Sequence, residues 1–289
     1  MKRRRFLTLS AAFACAPGLA KASSWQGRAL GAEVSVTLHG PSALTGPALA
    51  EIPASLEKIE ALFSLYRPSS ALSLLNARGW LDMPPAFQQL VAQCDDAHRL
   101  SNTLFDPTIQ PLWQADAQGL DLGPARALVG WDRVTKTGNR LRLAPGQMLT
   151  FNGIAQGFAT DLIRTGLAKR GATQALINIG EFAALGGPWR LAISDPAHGP
   201  VATRALHGTA IATSSPGAML LATGSHILSP DGRPALWSTI SVEDHSATRA
   251  DALSTAAVFM TRDQLGTLKR SAKLTRITAL DDSGDLLTL

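Results

Sequence analysis

Ala250-Asp251-Ala252-Leu253-Ser254-Thr255-Ala256 places a carboxylate and a hydroxyl four residues apart, in a run of helical composition without Gly or Pro. Positions i and i+4 share one face of a helix. Asp251 and Thr255 can therefore offer two hard oxygens to one cation of the magnesium type. By itself the spacing is a weak signal, since an Asp near the start of a helix more often caps it or stabilises its dipole. The segments around this run indicate the fold. From residue 174 onward the pattern is mostly short strands, at 175–179, 189–194, 202–206, 209–213 and 238–243. The helix bearing Asp251 and Thr255 interrupts them, and two terminal strands are expected to close the sheet.

The first half reads differently. A short strand near 33–38 precedes one amphipathic helix over 48–63, with Leu49, Ile52, Leu56, Ile59, Leu62 and Phe63 at helical spacing and Pro53 near its start. Ser69-Ser70 can cap a second helix, and Pro84-Pro85 suits the first turn of a third that runs to about residue 100. Residues 114–130 read as short helices or loop. The turn Thr137-Gly138-Asn139 joins a hairpin, and Asn152 is the expected cap of a helix running to 170, with Gly171 as its stop. Helices first and strands later favour an α+β fold over a doubly wound parallel one. Mixed or antiparallel sheets packed with helices are expected in a single large domain, since no linker divides the chain.

Arg3-Arg4-Arg5-Phe6-Leu7 fits the twin-arginine export pattern, and Ala20-Lys21-Ala22 has the small-x-small form of a signal-peptidase site. Residues 1–22 are therefore expected to be a leader, with 23–289 released into the periplasm. The apolar stretch between these motifs is too short to span a bilayer, and no later segment qualifies. The leader also explains the charge. The chain holds 27 Lys and Arg against 22 Asp and Glu. Lys2, Arg3, Arg4, Arg5 and Lys21 supply the whole excess of +5. The remainder is neutral and gives no reason to expect a nucleic-acid partner. Beyond the leader only Cys94 remains of the 2 cysteines, which excludes a disulfide scaffold, a CxxC pair and a cysteine zinc site.

Common nucleotide and hydrolase signatures are absent: no GxGxxG opens a helix after a strand, and there is no GxxxxGK[ST], HExxH or GxSxG. Five other segments occur in a telling order. They are Phe63-Ser64-Leu65-Tyr66-Arg67-Pro68-Ser69-Ser70, Phe105-Asp106-Pro107-Thr108, Asn152-Gly153-Ile154-Ala155-Gln156-Gly157, Ile177-Asn178-Ile179-Gly180 and His226-Ile227-Leu228-Ser229-Pro230-Asp231-Gly232, all ahead of the Asp251 run. Together they resemble the FAD:protein FMN transferase family, also called ApbE, over nearly the whole chain beyond the leader. The variants Asn-Gly-Ile-Ala-Gln-Gly and Asn-Ile-Gly-Glu are similar to its NosX branch, exported accessory proteins of nitrous-oxide respiration.

The resemblance implies FAD as substrate, Mg²⁺ as cofactor, and a membrane-anchored acceptor flavoprotein with a periplasmic domain. It implies a metal held by the carbonyl of Ala155 and the side chains of Asp251 and Thr255. Tyr66 is the aromatic expected to pack on the flavin ring. Leu30 stands where the family usually has Met near the flavin, and Asp106, Arg67, Gln156 and Ile227 join the expected flavin-nucleotide contacts. His226 is the candidate general base. Each has a plainer alternative. Tyr66 can cover core, His226 can be a structural histidine ahead of a strand-like Ile-Leu, Asp106 can start a turn, and Gly153 and Gly157 can serve helix packing. The chain departs from the pattern where Gln156 replaces a common Lys, Ser229 a common Asp, and Glu181 a second Gly. Hydrolysis of FAD with water as acceptor, and a non-catalytic flavin carrier or assembly factor, are the rival functions.

Overall fold

The computed structural model describes residues 22–289. The expected leader, apart from Ala22, lies outside the described residues. Strands β1 (Ala22–Ala29) and β2 (Ala32–His39) form a hairpin. Its two turn residues, Leu30 and Gly31, have φ of 50° and 80°. A two-residue turn with φ positive at both positions follows the right-handed twist of the paired strands.

Helices α1 (Ser42–Ala50) and α2 (Ile52–Phe63) replace the single helix expected over 48–63. They meet at Glu51 because Pro53 has no N–H to give and its ring blocks the carbonyl four residues back. Helix α3 (Ala71–Arg78) starts as expected, with the Ser70 hydroxyl accepting from Ser73 N at 3.0 Å. Strand β3 (Trp80–Asp82), helix α4 (Pro85–Leu100) and the short helices α5 (Gln110–Ala117) and α6 (Leu122–Arg126) follow. Strands β4 (Thr135–Thr137) and β5 (Arg140–Arg142) are the expected hairpin, and β3 joins it as a third strand.

The second half consists of α7 (Ala155–Lys169), β6 (Gln174–Asn178), β7 (Phe182–Leu185), β8 (Trp189–Asp195), β9 (Gly199–Leu206), β10 (Ala210–Ser214), β11 (Thr239–Asp244), α8 (Ala247–Ala257), α9 (Arg262–Ser271), β12 (Arg276–Leu280) and β13 (Leu286–Thr288). Among the described residues eight strands make one sheet in the order β1-β2-β6-β7-β10-β11-β12-β13, every neighbour antiparallel. The fold is α+β in a single domain, as the order of helical and strand patterns predicts. Asn152 is not the cap of α7. Ile154 holds that position without a side-chain bond, and Asn152 instead donates its N–H to Thr150 Oγ1 at 3.2 Å.

Two packing features position the site. Phe63, Phe87, Phe151 and Phe158 meet with ring centroids 5.4–5.7 Å apart, mostly edge to face, and lock α2, α4 and α7 together. Helix α8 is buried almost all round and packs on α7, β10 and β11. Its small residues, Ala250, Ala252, Ala256 and Ala257, let those neighbours approach closely. Asp161 of α7 fixes the start of α8. Its carboxylate accepts from Ser246 Oγ at 2.8 Å, Ala247 N at 3.0 Å, and Thr248 N and Oγ1 at 2.9 and 2.7 Å. Asp161→Ala would leave these donors unpaired and is expected to cost about 2–4 kcal/mol. Urea unfolding of the variant measures that loss.

Candidate functional site

Asp251 and Thr255 lie on one face of α8, as their spacing predicts, and that face looks toward the start of α7. Asp251 is 4% exposed, and its Oδ2 accepts from Gly157 N at 2.9 Å. Thr255 Oγ1 lies 3.4 Å from Ser214 Oγ, which itself lies 2.8 Å from Ser254 Oγ. The two glycines of the Asn152–Gly157 motif make this approach possible. A Cβ on Gly153 would stand 2.8 Å from Thr255 Oγ1, and one on Gly157 would stand 2.8 Å from Asp251 Cβ. Ala155, the first residue of α7, is bracketed by these two contacts.

The donor set suits a hard divalent cation: a carboxylate, hydroxyls of Thr255 and Ser214, and backbone carbonyl oxygen. Among the described residues no three His, Cys, Asp or Glu side chains form a metal cluster, so the hydroxyl and carbonyl donors carry much of the fit. Asp251 supports it further. Burial pushes its carboxyl up to about 7, against the opposing bond from Gly157 N–H, and its Oδ1 takes no hydrogen bond among the described residues. A cation is the partner such a group lacks.

Tyr66 is 80% exposed, so it covers no core. It stands at the rim of a cavity of about 350 Å³, with Leu65, Trp113, Met148 and Asn152 among the other walls. Asn152 is the residue before Gly153, so this cavity opens beside the Thr255 face. Leu30, Gln156 and Arg67 converge at one corner through Glu60. Leu30 N donates to Glu60 Oε1 at 2.9 Å, and Gln156 Nε2 to Leu30 O at 3.4 Å. Arg67 donates to Glu60 Oε2 at 2.6 Å and pairs with both oxygens of Glu57. Arg67 thus braces the turn with two carboxylates.

Asp106 is the N-cap of a single 3-10 turn. Its Oδ1 accepts from Thr108 N and Oγ1 at 2.8 and 2.6 Å, and its Oδ2 from Trp131 N at 3.0 Å. His226 and Ile227 sit in a loop, so the strand suggested by Ile-Leu does not form. Ile227 N donates to Ser225 Oγ at 3.1 Å. His226 Nδ1 lies 3.2 Å from the carbonyls of both Pro216 and Met219. Those acceptors place the ring proton on Nδ1, which makes Nε2 the basic nitrogen. Burial pushes the ring below its usual range, against the two carbonyl bonds.

The His226 loop is tied down at several points. Thr223 donates from N and Oγ1 to Asp116 at 3.0 and 2.7 Å, Arg126 reaches the carbonyls of Ser229 and Pro230, and Trp237 Nε1 donates to Met260 O at 2.7 Å. Ser229 itself donates to Asp231 Oδ1 at 2.6 Å. Ser214 and Asp116 were not singled out by sequence. The hydroxyl run Thr213-Ser214-Ser215 ending a strand is the signal that points to the first, whereas nothing local marks the second.

Helices on an eight-stranded antiparallel sheet, with a carboxylate–hydroxyl face set against a glycine-bracketed helix start, define the class. The ApbE family profile matches residues 30–279, and the chain belongs to the ApbE family. Among solved structures, the apo form of the flavinyl transferase ApbE of Pseudomonas stutzeri is 26% identical, with a TM-score of 0.81 over 95% of this chain and 96% of that one. The flavin transferase ApbE of Vibrio cholerae is 21% identical, with a TM-score of 0.77 over 93% and 97%. The ApbE protein of Thermotoga maritima is 22% identical, with a TM-score of 0.81 over 92% and 96%. The last two establish the likeness of fold alone. No curated protein sequence matches the chain.

Proposed function

We propose that this chain transfers FMN from FAD to a Thr or Ser hydroxyl of an acceptor flavoprotein, releasing AMP, with Mg²⁺ as cofactor. The observation that carries this reading is the Asp251–Thr255 face of α8, closed against the start of α7 and adjoining the Tyr66 cavity. Family membership and the name flavinyl transferase borne by the Pseudomonas stutzeri structure support it. Asp251, Thr255 and the Ala155 carbonyl would hold the ion. A bound Mg²⁺ supplies charge neutralisation at the pyrophosphate, the main requirement of phosphoryl transfer.

The chain's own groups do the rest. Tyr66, with Trp113 and Met148 across the cavity, receives the flavin ring. The positive end of the α7 dipole favours phosphate there, although the N–H groups of Ala155 and Gly157 are already bonded to Phe151 O and Asp251 Oδ2. Gln156 adds hydrogen-bond donors there but no charge. His226 Nε2 takes the proton of the acceptor hydroxyl. The acceptor oxygen bonds to the FMN phosphorus, the bond from that phosphorus to the bridging oxygen breaks, and AMP leaves with that oxygen.

We place this activity in the periplasm, after export by the twin-arginine leader, on a membrane-anchored acceptor. No helix among the described residues is long and apolar enough to cross a membrane. Intact-mass spectrometry of periplasmic flavoprotein domains, incubated with this protein, FAD and Mg²⁺, is the test. A gain of one FMN on a single Thr or Ser is expected, with AMP released only when acceptor is present. Rapid AMP release without acceptor would replace transfer by hydrolysis. Tight FAD binding with neither product would leave a carrier.

A further inference from the structure

Glu181 ends the turn between β6 and β7, where its carboxylate occupies a position usually filled by backbone. Pairing of β7 with β10 stops at the Phe182–Ile211 pair, because the chain turns away through Gly180, whose φ is 93°. Two residues further along β10, Thr213 N donates to Glu181 Oε2 at 3.0 Å in place of a strand carbonyl. The backbone of Glu181 is also tied to α7, since Thr160 Oγ1 lies 3.1 Å from Glu181 O and 2.9 Å from Gln156 O. The carboxyl is thereby held between the first turn of α7 and the end of β10 that carries Ser214.

That is the same space that Asp251 faces. Ser214, next to Thr213, has its Oγ 3.4 Å from Thr255 Oγ1, and Gly157, next to Gln156, donates its N–H to Asp251 Oδ2, so both carboxyls are tied to the same two chain segments. One oxygen of each is fixed by a backbone N–H, at Thr213 and at Gly157. The other, Oε1 of Glu181 and Oδ1 of Asp251, accepts no hydrogen bond among the described residues, and no basic side chain is bonded to either carboxyl. Two carboxylates sharing an enclosed site repel unless one takes up a proton or a positive charge lies between them.

We propose that Glu181 is a further ligand of the cation site, so that the divalent ion is held by two carboxylates together with Thr255 and the Ala155 carbonyl. This rests on the reading of Asp251 and Thr255 as metal ligands. Two carboxylates neutralise a dication within the protein, so the ion binds before any phosphate arrives. A second carboxylate also compensates for the small number of anionic donors on α8, and its oxygen suits Mg²⁺ or Mn²⁺ alike.

The test is titration of the full chain with Mn²⁺ alone, following free Mn²⁺ by electron paramagnetic resonance and the Mn²⁺-induced rise in Tm. Glu181→Gln keeps an oxygen for Thr213 N and removes the charge. It is expected to weaken Mn²⁺ binding by about tenfold or more and to shrink the rise in Tm, with an unchanged circular dichroism spectrum. Glu181→Ala is expected to weaken Mn²⁺ equally while also losing apo stability. Should both variants bind Mn²⁺ like the wild type while Asp251→Asn does not, Glu181 is a strand cap only and the proposal fails, with the Asp251 site intact. A wild-type chain with no saturable Mn²⁺ binding would overturn the metal reading and this proposal together.

Discussion

Asp251→Asn is expected to reduce flavin attachment on the order of 10³-fold, about 4 kcal/mol of lost transition-state stabilisation, while leaving the chain folded. The two halves of this expectation come from different oxygens. Asn keeps an oxygen that can accept from Gly157 N–H, the bond that now measures 2.9 Å. It loses the charge that would hold a cation. Removing the charge also relieves the apo protein. Burial raises the Asp251 carboxyl from 3.8 to about 7, so the folded state prefers it protonated. The stability carried by that preference is fully present below the ordinary carboxylate range and is lost as pH rises through about 7. Without divalent cation, the variant should therefore melt at or above the wild-type temperature at pH 8, with the gap closing toward pH 4. Circular dichroism melts at the two pH values, run beside the intact-mass assay, check both halves. An active variant would remove Asp251 from the metal site, and one that melts well below wild type at pH 8 would make its role structural.

The shared face of Asp251 and Thr255 was legible in the sequence because helices impose a fixed period. Asp251 and Thr255 share a face for that reason alone, and Gly153 and Gly157 make close approach possible wherever two helices meet. The class of fold followed from the same local patterns: helical periods ahead of residue 170, short strands after it. What escaped is what depends on distant partners. Strand β1 reads Ala-Ser-Ser-Trp-Gln-Gly-Arg-Ala, too polar to show a buried face, and becomes a strand by pairing with β2 along its full length. Strand β7 is four residues long, and its burial depends on β6 and β10. Helix α9 is largely polar, so only its Thr261–Gln264 capping box marks its start. The break between α1 and α2 was readable from Pro53 had its clash with the preceding turn outweighed the apolar period. The bracing of Arg67 by Glu57 and Glu60 could not be read, because long side chains choose partners only after helices and turns are placed.

Gly157→Ala is expected to be the most damaging single-methyl change in the site, costing at least about 3 kcal/mol of stability and most of the activity. The added Cβ would stand 2.3 Å from the carbonyl oxygen of Ala247, 2.7 Å from its carbon and 2.8 Å from Asp251 Cβ. The first two are backbone atoms of the first residue of α8, and Asp161 holds that residue's N–H at 3.0 Å. No flexible side-chain end is available to yield, so α7 and α8 must part. Parting them lengthens the Gly157–Asp251 hydrogen bond and opens the face that Asp251 and Thr255 share. Ala is worth about 1 kcal/mol more than Gly inside a helix, a gain this overlap outweighs. Gly166, on the same helix, isolates that gain, since a Cβ there would meet nothing within 4 Å. Gly166→Ala should raise stability by about 0.5–1 kcal/mol and leave flavin attachment unchanged. Urea unfolding of the pair separates contact from propensity. Equal stabilities for the two variants would mean that the α7–α8 contact gives way freely and does not hold Asp251 in place.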